Sequence, residues 1–327
     1  MSFWYNKKIL VTGGSGFIGS HLVERLLAEG AMVRVCGRSP AKLGRFLGQI
    51  AHEIEFMSGN LQSLEFAEQA CRQQEIVFHL AANVAGVGYN SRHPGSILFD
   101  NASIGLNILE AAVRAGVERI GLTSTACVYP RYCTVPTPES EGMVDDPEPS
   151  NLGYGWAKRF LEVQARCYVQ QYPLKIALPR PYNAYGPRDD FEWETSHVIP
   201  ALIRKITEGQ DPLQVWGDGS QTRAFLYVSD FVEGLMLTLE HYATCDPINI
   251  GSDEEVTVAH LIELIKQLVG SSTQVEFDVS QPGGQPRRNG DYRKAQQLLG
   301  FKAKVPLAKG LGRTIAWYQE QTTIAKV

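Results

Sequence analysis

Tyr154 and Lys158 have the residue types and the spacing of an acid–base pair. They are four positions apart in a helix-like stretch, so their side chains share one helix face. A phenol with an ordinary pKa of about 10 is a poor acid or base at neutral pH, and a neighbouring ammonium group favours its ionised form. Thr125 ends an upstream strand-like run, and its hydroxyl can hydrogen-bond to a substrate oxygen. The pattern predicts acid–base chemistry, although an ordinary amphipathic helix has the same spacing.

Cys127 and His197 form a second candidate pair. A thiol and an imidazole can exchange protons near neutral pH once their surroundings tune them. Carbon atoms that flank a ketone can lose a proton and regain it on the opposite face, which requires groups on both sides of the ring. Such a pair is chemically capable of this proton exchange. The alternatives are a buried core cysteine and a histidine that only packs or caps a helix.

A glycine-rich turn lies between the strand-like run 8–11 and a helical pattern that begins at Phe17. Within it, Gly13, Gly16 and Gly19 have the GxxGxxG spacing. Such glycines allow a tight turn, close approach of a pyrophosphate and close packing of the helix on the sheet, and the helix N-terminus attracts the phosphates. The context predicts a dinucleotide site; a purely structural turn is the alternative.

Arg38 bears on which dinucleotide is bound. An NAD site usually has an acid on the ribose hydroxyls about 20 residues after the glycines. The run 35–40 has no acid and carries Arg38 instead. A guanidinium can pair with a 2′-phosphate, and Gly37 leaves room for it. We therefore predict NADP, with NAD as the alternative and a solvated surface arginine as the other explanation of Arg38.

Composition and charge narrow the class of protein. The 327 residues include 31 Lys plus Arg and 35 Asp plus Glu, a formal charge of −4 that argues against a nucleic-acid partner. No apolar run reaches the roughly 18 residues of a membrane span, and the N-terminus does not resemble a signal peptide. His93, His241 and His260 lack metal-ligand spacing, so no metal site is predicted. Six cysteines without CxxC pairs predict reduced thiols in a cytoplasmic protein.

Short apolar runs alternate with helical patterns through the first 180 residues. The predicted strands are 8–11, 33–36, 53–57, 76–80, 120–124 and 174–178, and the predicted helices begin at 17 and cover 63–73, 98–115 and 153–171. This alternation predicts an α/β fold with a doubly wound parallel sheet, helices on both faces and right-handed crossovers. The acidic, proline-bearing segment 131–152 is expected to be an exposed loop near the active site.

The order of these motifs resembles the extended branch of the short-chain dehydrogenase/reductase superfamily, which contains mostly nucleotide-sugar epimerases, dehydratases and reductases. The matching positions are Gly13, Gly16, Gly19, His79 to Ala82, Asn101, Thr125, Tyr154, Lys158 and Tyr185 to Pro187. The resemblance implies that Tyr154 is the acid–base for hydride transfer, that Lys158 modifies its pKa and that Thr125 is the partner hydroxyl. In two departures, Asn60 replaces the Asp that usually contacts adenine, and Thr125 replaces a commoner Ser.

The resemblance also implies a Rossmann domain and the residues that bind ligands. Residues 1–181, with about 226–250, are predicted to form the NADP-binding domain, and 182–225 with 251–327 a smaller C-terminal substrate-binding lobe. The implied cofactor-binding residues are Gly13, Ser15, Gly16, Phe17, Ile18, Gly19, Arg38, Asn60, Leu61, Leu80, Ala81, Ala82, Tyr154 and Lys158. The predicted substrate-binding residues are Val87, Asn183, His197, Trp216, Arg223 and Arg288. The two arginines are candidates to bind a diphosphate. For Trp216 the alternative is a purely structural role in the core.

Two families within the superfamily resemble the chain most. The runs 124–130 and 185–200 resemble GDP-L-fucose synthases, whose epimerising pair is a Cys and a His at these positions, whereas 216–223 and 249–254 resemble GDP-mannose 3,5-epimerases, which use a Lys as the partner. The resemblance implies a nucleotide-sugar 3,5-epimerase, with a GDP-sugar favoured and with or without reduction at C4. The alternatives are a UDP-sugar 4-epimerase with an idle Cys127 and a non-catalytic NADP-binding protein.

The superfamily usually dimerises through the helix that carries Tyr-x-x-x-Lys and the helix before it. Leu161, Val163, Ala165 and Tyr168 can supply an apolar seam, although the same residues can face the sheet. The sequence therefore favours a homodimer.

Overall fold

A seven-stranded sheet forms the centre of the computed structural model, which describes residues 1–84, 86–280 and 285–324. The strands are β1 (Lys8–Thr12), β2 (Met32–Gly37), β3 (Ile54–Ser58), β4 (Ile76–His79), β5 (Arg119–Leu122), β6 (Lys175–Pro181), β7 (Ala184–Tyr185), β8 (Leu213–Trp216), β9 (Thr222–Ala224), β10 (Leu226–Tyr227), β11 (Thr244–Ile250), β12 (Glu255–Thr257), β13 (Val275–Asp278) and β14 (Arg287–Arg288). The helices are α1 (Phe17–Ala28), α2 (Pro40–Leu47), α3 (Leu64–Cys71), α4 (Val87–Arg92), α5 (Pro94–Arg114), α6 (Leu152–Gln171), α7 (Val198–Thr207), α8 (Val228–His241), α9 (Val258–Val269), α10 (Arg293–Leu299) and α11 (Leu307–Ile324).

The strand order across the central sheet is β3-β2-β1-β4-β5-β6-β11, and all neighbouring strands are parallel. The chain therefore moves outward from β1 in one direction and then, through β4, in the other. Ligands of such sheets bind outside the carboxyl ends of the strands, where the order reverses. This topology confirms the doubly wound parallel Rossmann sheet that the sequence predicts.

Helices cover both faces of the sheet because the central strands are apolar in both directions. In β1, Ile9 and Val11 belong to the apolar cluster with α1 and α8, whereas Leu10 belongs to the cluster with α3, α5 and α6. Phe78 and Val77 of β4 divide between the two clusters in the same way. Successive residues of a strand point to opposite faces, so one apolar strand contributes to two layers.

Two predicted boundaries differ from the structure. The strand predicted to reach residue 124 ends at Leu122, and beyond it the Thr123 carbonyl accepts from Lys158 while the Ser124 hydroxyl donates to the buried Glu162 side chain. The helix predicted from residue 98 begins at Pro94. Proline suits the first turn of a helix, where its missing N–H would have no partner, so this earlier start was readable from the sequence.

The C-terminal part of the chain has an apolar cluster of its own, formed by α7, α9 and α11 around β8. Residues 244–250 do not belong to this part of the fold. They form β11, which pairs with β6 at the edge of the central sheet. Across the three described ranges, no helix combines the length and the hydrophobicity that a membrane crossing requires.

The side chains proposed for a dimer seam do not all face outward. Leu161 and Ala165 are buried in the cluster between the sheet and its covering helices, and the Tyr168 hydroxyl donates to Glu110 of α5. Val163 and Phe160 of the same helix are both exposed. The outward apolar face of α6 therefore differs from the predicted one, because the helix phase places Leu161 and Ala165 against α5 and the sheet.

The segment 131–152 is only in part the exposed loop that its composition predicts, since Tyr132 and Val144 are exposed but other residues are not. Thr137 and Glu148 are buried, and a backbone bridge joins Pro130 to Pro147. The carbonyl oxygen of Thr137 accepts from the Asn249 side-chain amide at 2.9 Å. Acidic residues and prolines suggested solvent exposure, but the segment is held in place because buried polar groups of β6 and β11 bind its backbone.

A buried ion pair, Glu162–Arg180, joins α6 to the central sheet. Arg180 donates to both carboxylate oxygens, with distances of 2.9 and 2.6 Å, and both side chains are at most 2% exposed. The remaining Arg180 nitrogen donates to the Tyr129 hydroxyl and to the Glu139 carbonyl. Ser124, just beyond β5, donates to the same carboxylate. One pair therefore fixes a helix, two strand ends and the segment 131–152.

We expect Glu162→Gln to destabilise the fold by about 3–5 kcal/mol, because it leaves the Arg180 charge buried without a counter-charge. Urea unfolding, followed by circular dichroism, measures this change in the free energy of unfolding. Arg114→Gln is the matched control, since the Arg114–Glu110 pair lies at the surface and its loss should change the midpoint little. Equal midpoints for Glu162→Gln and the wild type would contradict the role given to the buried pair.

Candidate active site

The turn between β1 and α1 has room only for glycine at two positions. Gly13 has φ +70°, and a Cβ there would lie 3.0 Å from the backbone of Ala81. A Cβ on Gly19 would lie 2.2 Å from the Gly13 carbonyl oxygen. The first turn of α1 therefore packs directly on the glycine turn, at the carboxyl end of β1, where the strand order reverses.

Thr12 and His79 fix the neighbouring turn after β4. The Thr12 hydroxyl oxygen accepts from the N–H groups of Leu80 and Ala81, both at 3.1 Å, and lies 2.9 Å from Nδ1 of His79. Burial, together with the charge of Lys158, lowers the pKa of His79 to about 3. The imidazole is therefore neutral, and its Nδ1 can accept the Thr12 proton. These bonds place Leu80, Ala81 and the half-buried Ala82 beside the glycine turn.

The N-terminus of α1 fits an anionic group. Gly16 is the capping residue and provides no side chain, and the first turn contains no acid. Its leading N–H groups and the helix dipole favour a phosphate there. Ser15 is buried in the turn, and Phe17 and Ile18 are half-buried at the start of the helix. The glycine turn and this helix end therefore match what the pyrophosphate of a dinucleotide requires.

Arg38 and Asn60 lie beyond the carboxyl ends of β2 and β3. Arg38 is exposed and makes no ion pair or hydrogen bond with any residue that the structure describes. Asn60 is bound to Gln62 through both its amide nitrogen and its amide oxygen. Leu61 is buried. Of these predicted cofactor residues, Arg38 is the one whose charge has no protein partner in the described structure.

Tyr154 and Lys158 lie on the buried face of α6, close to the end of β5. The Lys158 ammonium donates to the Thr123 carbonyl at 2.8 Å and lies 5.7 Å from the centre of the Tyr154 ring. Burial lowers the pKa of Lys158 to about 8, although Glu162 opposes this shift. Burial also raises the pKa of Tyr154, with Cys127 as the second cause. The expected lowering of the Tyr154 pKa by Lys158 is therefore not seen, because burial of the phenol dominates.

Thr125 and Cys127 lie in a short 3-10 turn that follows β5. The Thr125 hydroxyl oxygen accepts from the Cys127 N–H at 3.1 Å, so the hydroxyl proton remains available to a ligand. Cys127 is half-buried, unlike the fully buried Cys36 and Cys71, so the alternative of an inert core cysteine is not supported. Its carbonyl oxygen packs against Gly155, where a Cβ would approach to 2.6 Å. The backbone of Cys127 therefore lies beside the start of α6.

His197 is the residue that precedes α7, and its side chain is exposed and makes no capping hydrogen bond. The capping role considered for it is therefore wrong. Partial burial of the ring lowers the pKa of His197, and Asp190 opposes this shift. The preceding Thr195 carbonyl accepts from the Gly86 N–H at 2.8 Å, which packs this segment against the start of α4.

The contacts of the described residues do not join His197 to Cys127, so their pairing stays a prediction. Val87 begins α4, and its side chain lies outside the described part of the structure. The predicted contact of Val87 with a substrate therefore also stays a prediction.

Two arginines predicted to bind substrate are neighbours across β9 and β14. Arg223 and Arg288 are register partners in this parallel pair. Arg223 donates to the Thr222 carbonyl, and burial, with Arg288 as the next cause, lowers its pKa to about 10. Burial lowers the pKa of Arg288, but the Cys127, Tyr182 and Glu148 side chains together outweigh burial, so the pKa is raised. The register of β9 and β14 thus brings Arg223 and Arg288 together.

Asn183 and Trp216 differ in how they are held. The Asn183 side chain donates to the Ala224 carbonyl at 2.8 Å, and its own carbonyl accepts from the Leu226 N–H. Asn183 therefore supports the parallel pairing of β7 with β10. Trp216 is 57% exposed at the end of β8, so the core role considered for it is wrong.

Two residues of this region were missed by the sequence analysis. Glu162 lies one helical turn beyond Lys158 and two beyond Tyr154, so extending the four-residue spacing would have found it. Glu148 is a buried carboxylate that acts to raise the pKa of both Arg223 and Arg288. No sequence pattern marks Glu148, because it lies in an irregular segment whose burial depends on distant strands.

The family model described as the NAD dependent epimerase/dehydratase family matches residues 9–251. The chain belongs to this family. The expected membership of the extended short-chain dehydrogenase/reductases is thereby confirmed, as is the expected class of nucleotide-sugar epimerase/reductase. The family description also supports a nicotinamide dinucleotide as the cofactor for which the glycine turn is shaped.

Similar proteins carry the names of the predicted activities and also of the alternative, a 4-epimerase. A probable GDP-L-fucose synthase 1 from Oryza sativa subsp. japonica is 34% identical over 98% of this chain and 94% of its own. A GDP-mannose 3,5-epimerase 1 from Oryza sativa subsp. indica is 30% identical over 98% of this chain and 84% of its own. The UDP-glucose 4-epimerase of Thermotoga maritima, solved with UDP-glucose, has a TM-score of 0.85 at 30% identity and covers 96% of this chain and 99% of its own.

Proposed function

We propose that the protein is a 3,5-epimerase of a nucleotide-diphosphate sugar, most favourably a GDP-sugar, with or without a final reduction at C4. The observation that carries this proposal is the position of Cys127. Cys127 is half-buried at the start of α6, where its carbonyl oxygen packs against Gly155, and it contributes to the pKa of both Tyr154 and Lys158. A thiol at this place is available for carbon acid–base chemistry, which a 4-epimerase does not require.

Tyr154 and Thr125 act at the oxygen on C4. The bound nicotinamide supplies reversible hydride exchange with C4. Tyr154, whose pKa is raised by burial, holds its proton and gives it to the C4 oxygen as that oxygen gains charge. The free proton of Thr125 hydrogen-bonds to the same oxygen. Lys158, held by the Thr123 carbonyl, keeps a positive charge next to the phenol.

Cys127 and His197 invert the carbons on either side of C4. With a ketone at C4, one member of the pair removes a proton from C3 or C5, and the electron pair moves onto the C4 oxygen as an enolate. The other member returns a proton to the opposite face of the same carbon. Because thiol and imidazole each exchange protons with water, the returned hydrogen comes from solvent.

Binding of the substrate is assigned to groups around this centre. Arg223 and Arg288 are the predicted ligands of the diphosphate, because guanidinium groups bind phosphate oxygens in a bidentate manner. The exposed ring of Trp216 is suited to contact with the base or the sugar. Asn183 and Val87 stay predicted contacts of the phosphate or sugar.

A UDP-sugar 4-epimerase is the second candidate, and one observation favours it. The solved UDP-glucose 4-epimerase of Thermotoga maritima superposes over nearly the whole chain. In that activity C4 is oxidised and reduced on opposite faces, and Cys127 has no role.

Mass spectrometry after turnover in D₂O separates the candidates, with GDP-mannose, GDP-4-keto-6-deoxymannose and UDP-glucose tested one by one. We expect carbon-bound deuterium in a GDP-sugar. Cys127→Ser or His197→Asn should lower its incorporation by at least about 100-fold, the scale of acid–base catalysis. Cys133→Ser is the matched control, since Cys133 is also half-buried but bonds to Thr137. Epimerised UDP-glucose without label would establish the 4-epimerase instead.

For the cofactor we propose NADP, because the exposed Arg38 has no partner in the described structure at the end of β2. Arg38→Ser should weaken NADP binding by roughly 10- to 100-fold, the range for a charged hydrogen bond, and should leave NAD binding nearly unchanged. Fluorescence titration with both reduced cofactors measures this ratio. Arg45→Ser, at an exposed arginine of α2, is the control. Equal loss for both cofactors, or for neither, would contradict the assignment.

We further propose a cytoplasmic homodimer that forms through α5 and α6. Phe99 of α5 and Trp156, Phe160 and Val163 of α6 are exposed apolar side chains, at 66, 42, 48 and 40%. Phe160→Glu should convert the dimer into a monomer in sedimentation velocity, because it places a charge in a buried interface. Leu268→Glu, at an exposed leucine of α9, should leave the dimer intact. A wild-type monomer would overturn this proposal.

A further inference from the structure

A chain of side-chain hydrogen bonds joins the segments that follow β3 and β4, and Asp100 of α5 is at its centre. One carboxylate oxygen of Asp100 accepts from the side-chain nitrogen of Gln62 at 2.8 Å, and the other accepts from the side-chain nitrogen of Asn83 at 2.8 Å. Gln62 follows β3 and Asn83 follows β4. Asn101 also holds Asn83, because its side chain bonds to both the N–H and the carbonyl of that residue, each at 2.9 Å. The carboxylate of Asp100 therefore bridges two segments at the carboxyl edge of the central sheet.

Asn60 lies at the far end of this chain of bonds. Its amide nitrogen donates to the Gln62 side-chain oxygen at 2.9 Å, and its amide oxygen accepts from the Gln62 backbone N–H at 3.1 Å. The N–H of the preceding Gly59 donates to the Gly37 carbonyl at 3.1 Å, which places Asn60 beside the end of β2. Asn60 is exposed, and in the described structure one lone pair and one N–H of its amide remain for a ligand.

Asp100 fixes the direction of the amides in this chain, because a carboxylate accepts hydrogen bonds and does not donate them. The Gln62 nitrogen must face Asp100, so the Gln62 oxygen faces Asn60. The Asn60 nitrogen then faces that oxygen, and the Asn60 oxygen faces the Gln62 backbone N–H. A reversed Asn60 amide would place oxygen against oxygen and nitrogen against N–H. Asn60 therefore presents one fixed polarity to a ligand.

We infer that Asp100 is a positioning residue for the base of the cofactor, which acts through Gln62 to hold the Asn60 amide in the direction that selects adenine. An amide so held pairs its oxygen with the amino group of adenine and its N–H with the neighbouring ring nitrogen. Hypoxanthine has an oxygen in place of that amino group, and this oxygen would face the Asn60 oxygen. The inference rests on the proposed function, since it requires a nicotinamide dinucleotide with its base beside Asn60.

The replacement of the usual Asp by Asn60 explains why this chain needs such control. The two oxygens of a carboxylate are equivalent, so an Asp at position 60 would accept from the adenine amino group in either orientation. An amide presents oxygen in one orientation and nitrogen in the other, so its recognition of the base depends on its direction. In this chain the negative group lies at Asp100, and Gln62 transmits its preference for a donor to Asn60.

The affinity for reduced cofactors that carry adenine or hypoxanthine tests the inference. NADPH with deamino-NADPH, and NADH with deamino-NADH, are titrated by nicotinamide fluorescence, and the ratio of the two Kd values in each pair is the measured quantity. The wild type should prefer adenine by at least about tenfold, the scale of one mismatched polar pair. Gln62→Leu and Asp100→Leu should each lower this preference at least about threefold, the scale of one hydrogen bond, and Asn60→Ala should remove it.

Further variants separate positioning from a purely structural role. If Asp100 acts through Gln62, the double variant Gln62→Leu/Asp100→Leu has the same ratio as Gln62→Leu alone, rather than the product of two losses. Asp100→Asn keeps the size of the side chain but has one acceptor oxygen for two donors, so it should also lower the ratio. Gln69→Leu, at an exposed glutamine of α3, is the control and should keep the wild-type ratio. An unchanged melting temperature shows that each variant is folded.

The proposed function and this inference fail separately. Tighter binding of NADH than of NADPH would contradict the NADP assignment, and the preference for adenine would then be read from the NADH pair. The absence of deuterium from every sugar would contradict the 3,5-epimerase proposal and would leave these ratios unaffected. A wild-type ratio near one, or wild-type ratios in folded Gln62→Leu and Asp100→Asn, would overturn the inference whichever cofactor binds.

Discussion

The buried Glu162–Arg180 pair is the interaction on which the geometry of the site depends. Glu162 lies on the same face of α6 as Tyr154 and Lys158, so fixing its carboxylate fixes the rotation of the helix that carries both groups. Arg180 belongs to β6, and Ser124 of the adjacent strand end bonds to the same carboxylate. The strand end that carries Thr125 and the helix that carries Tyr154 are thereby both held by the Glu162 carboxylate.

Positive charge dominates the region between α6 and β9. Among the residues that the structure describes, Lys158 has no carboxylate at bonding distance and donates to a backbone carbonyl, and Arg223 likewise bonds only to a carbonyl. Burial works against each of these cations, as their lowered pKa values show. Charges that cost free energy in the protein alone are stabilised when an anionic ligand arrives. The same imbalance that disfavours the isolated fold therefore favours a diphosphate substrate.

The sequence predicts the central sheet well and the irregular segments poorly, for a physical reason. Strands such as 8–11 and 76–79 are apolar and short, and the glycine turn between β1 and α1 is determined by local sterics, so both are readable from neighbouring residues. The course of 131–152 depends on Arg180 and Asn249, which are distant in sequence and bond to the Glu139 and Thr137 carbonyls. Likewise, the helical spacing identified Tyr154 and Lys158. The direction in which burial shifts their pKa values depends on the surrounding atoms and could not be read from that spacing.

The double use of β1 has a consequence for how this chain can vary over evolution. Ile9 and Val11 serve one layer and Leu10 serves the other. A single-residue insertion or deletion within this strand would exchange the two sets and would also displace the glycine turn that follows it. Changes of length are therefore confined to connections between the elements, while the strand itself tolerates only exchanges among apolar residues of similar volume.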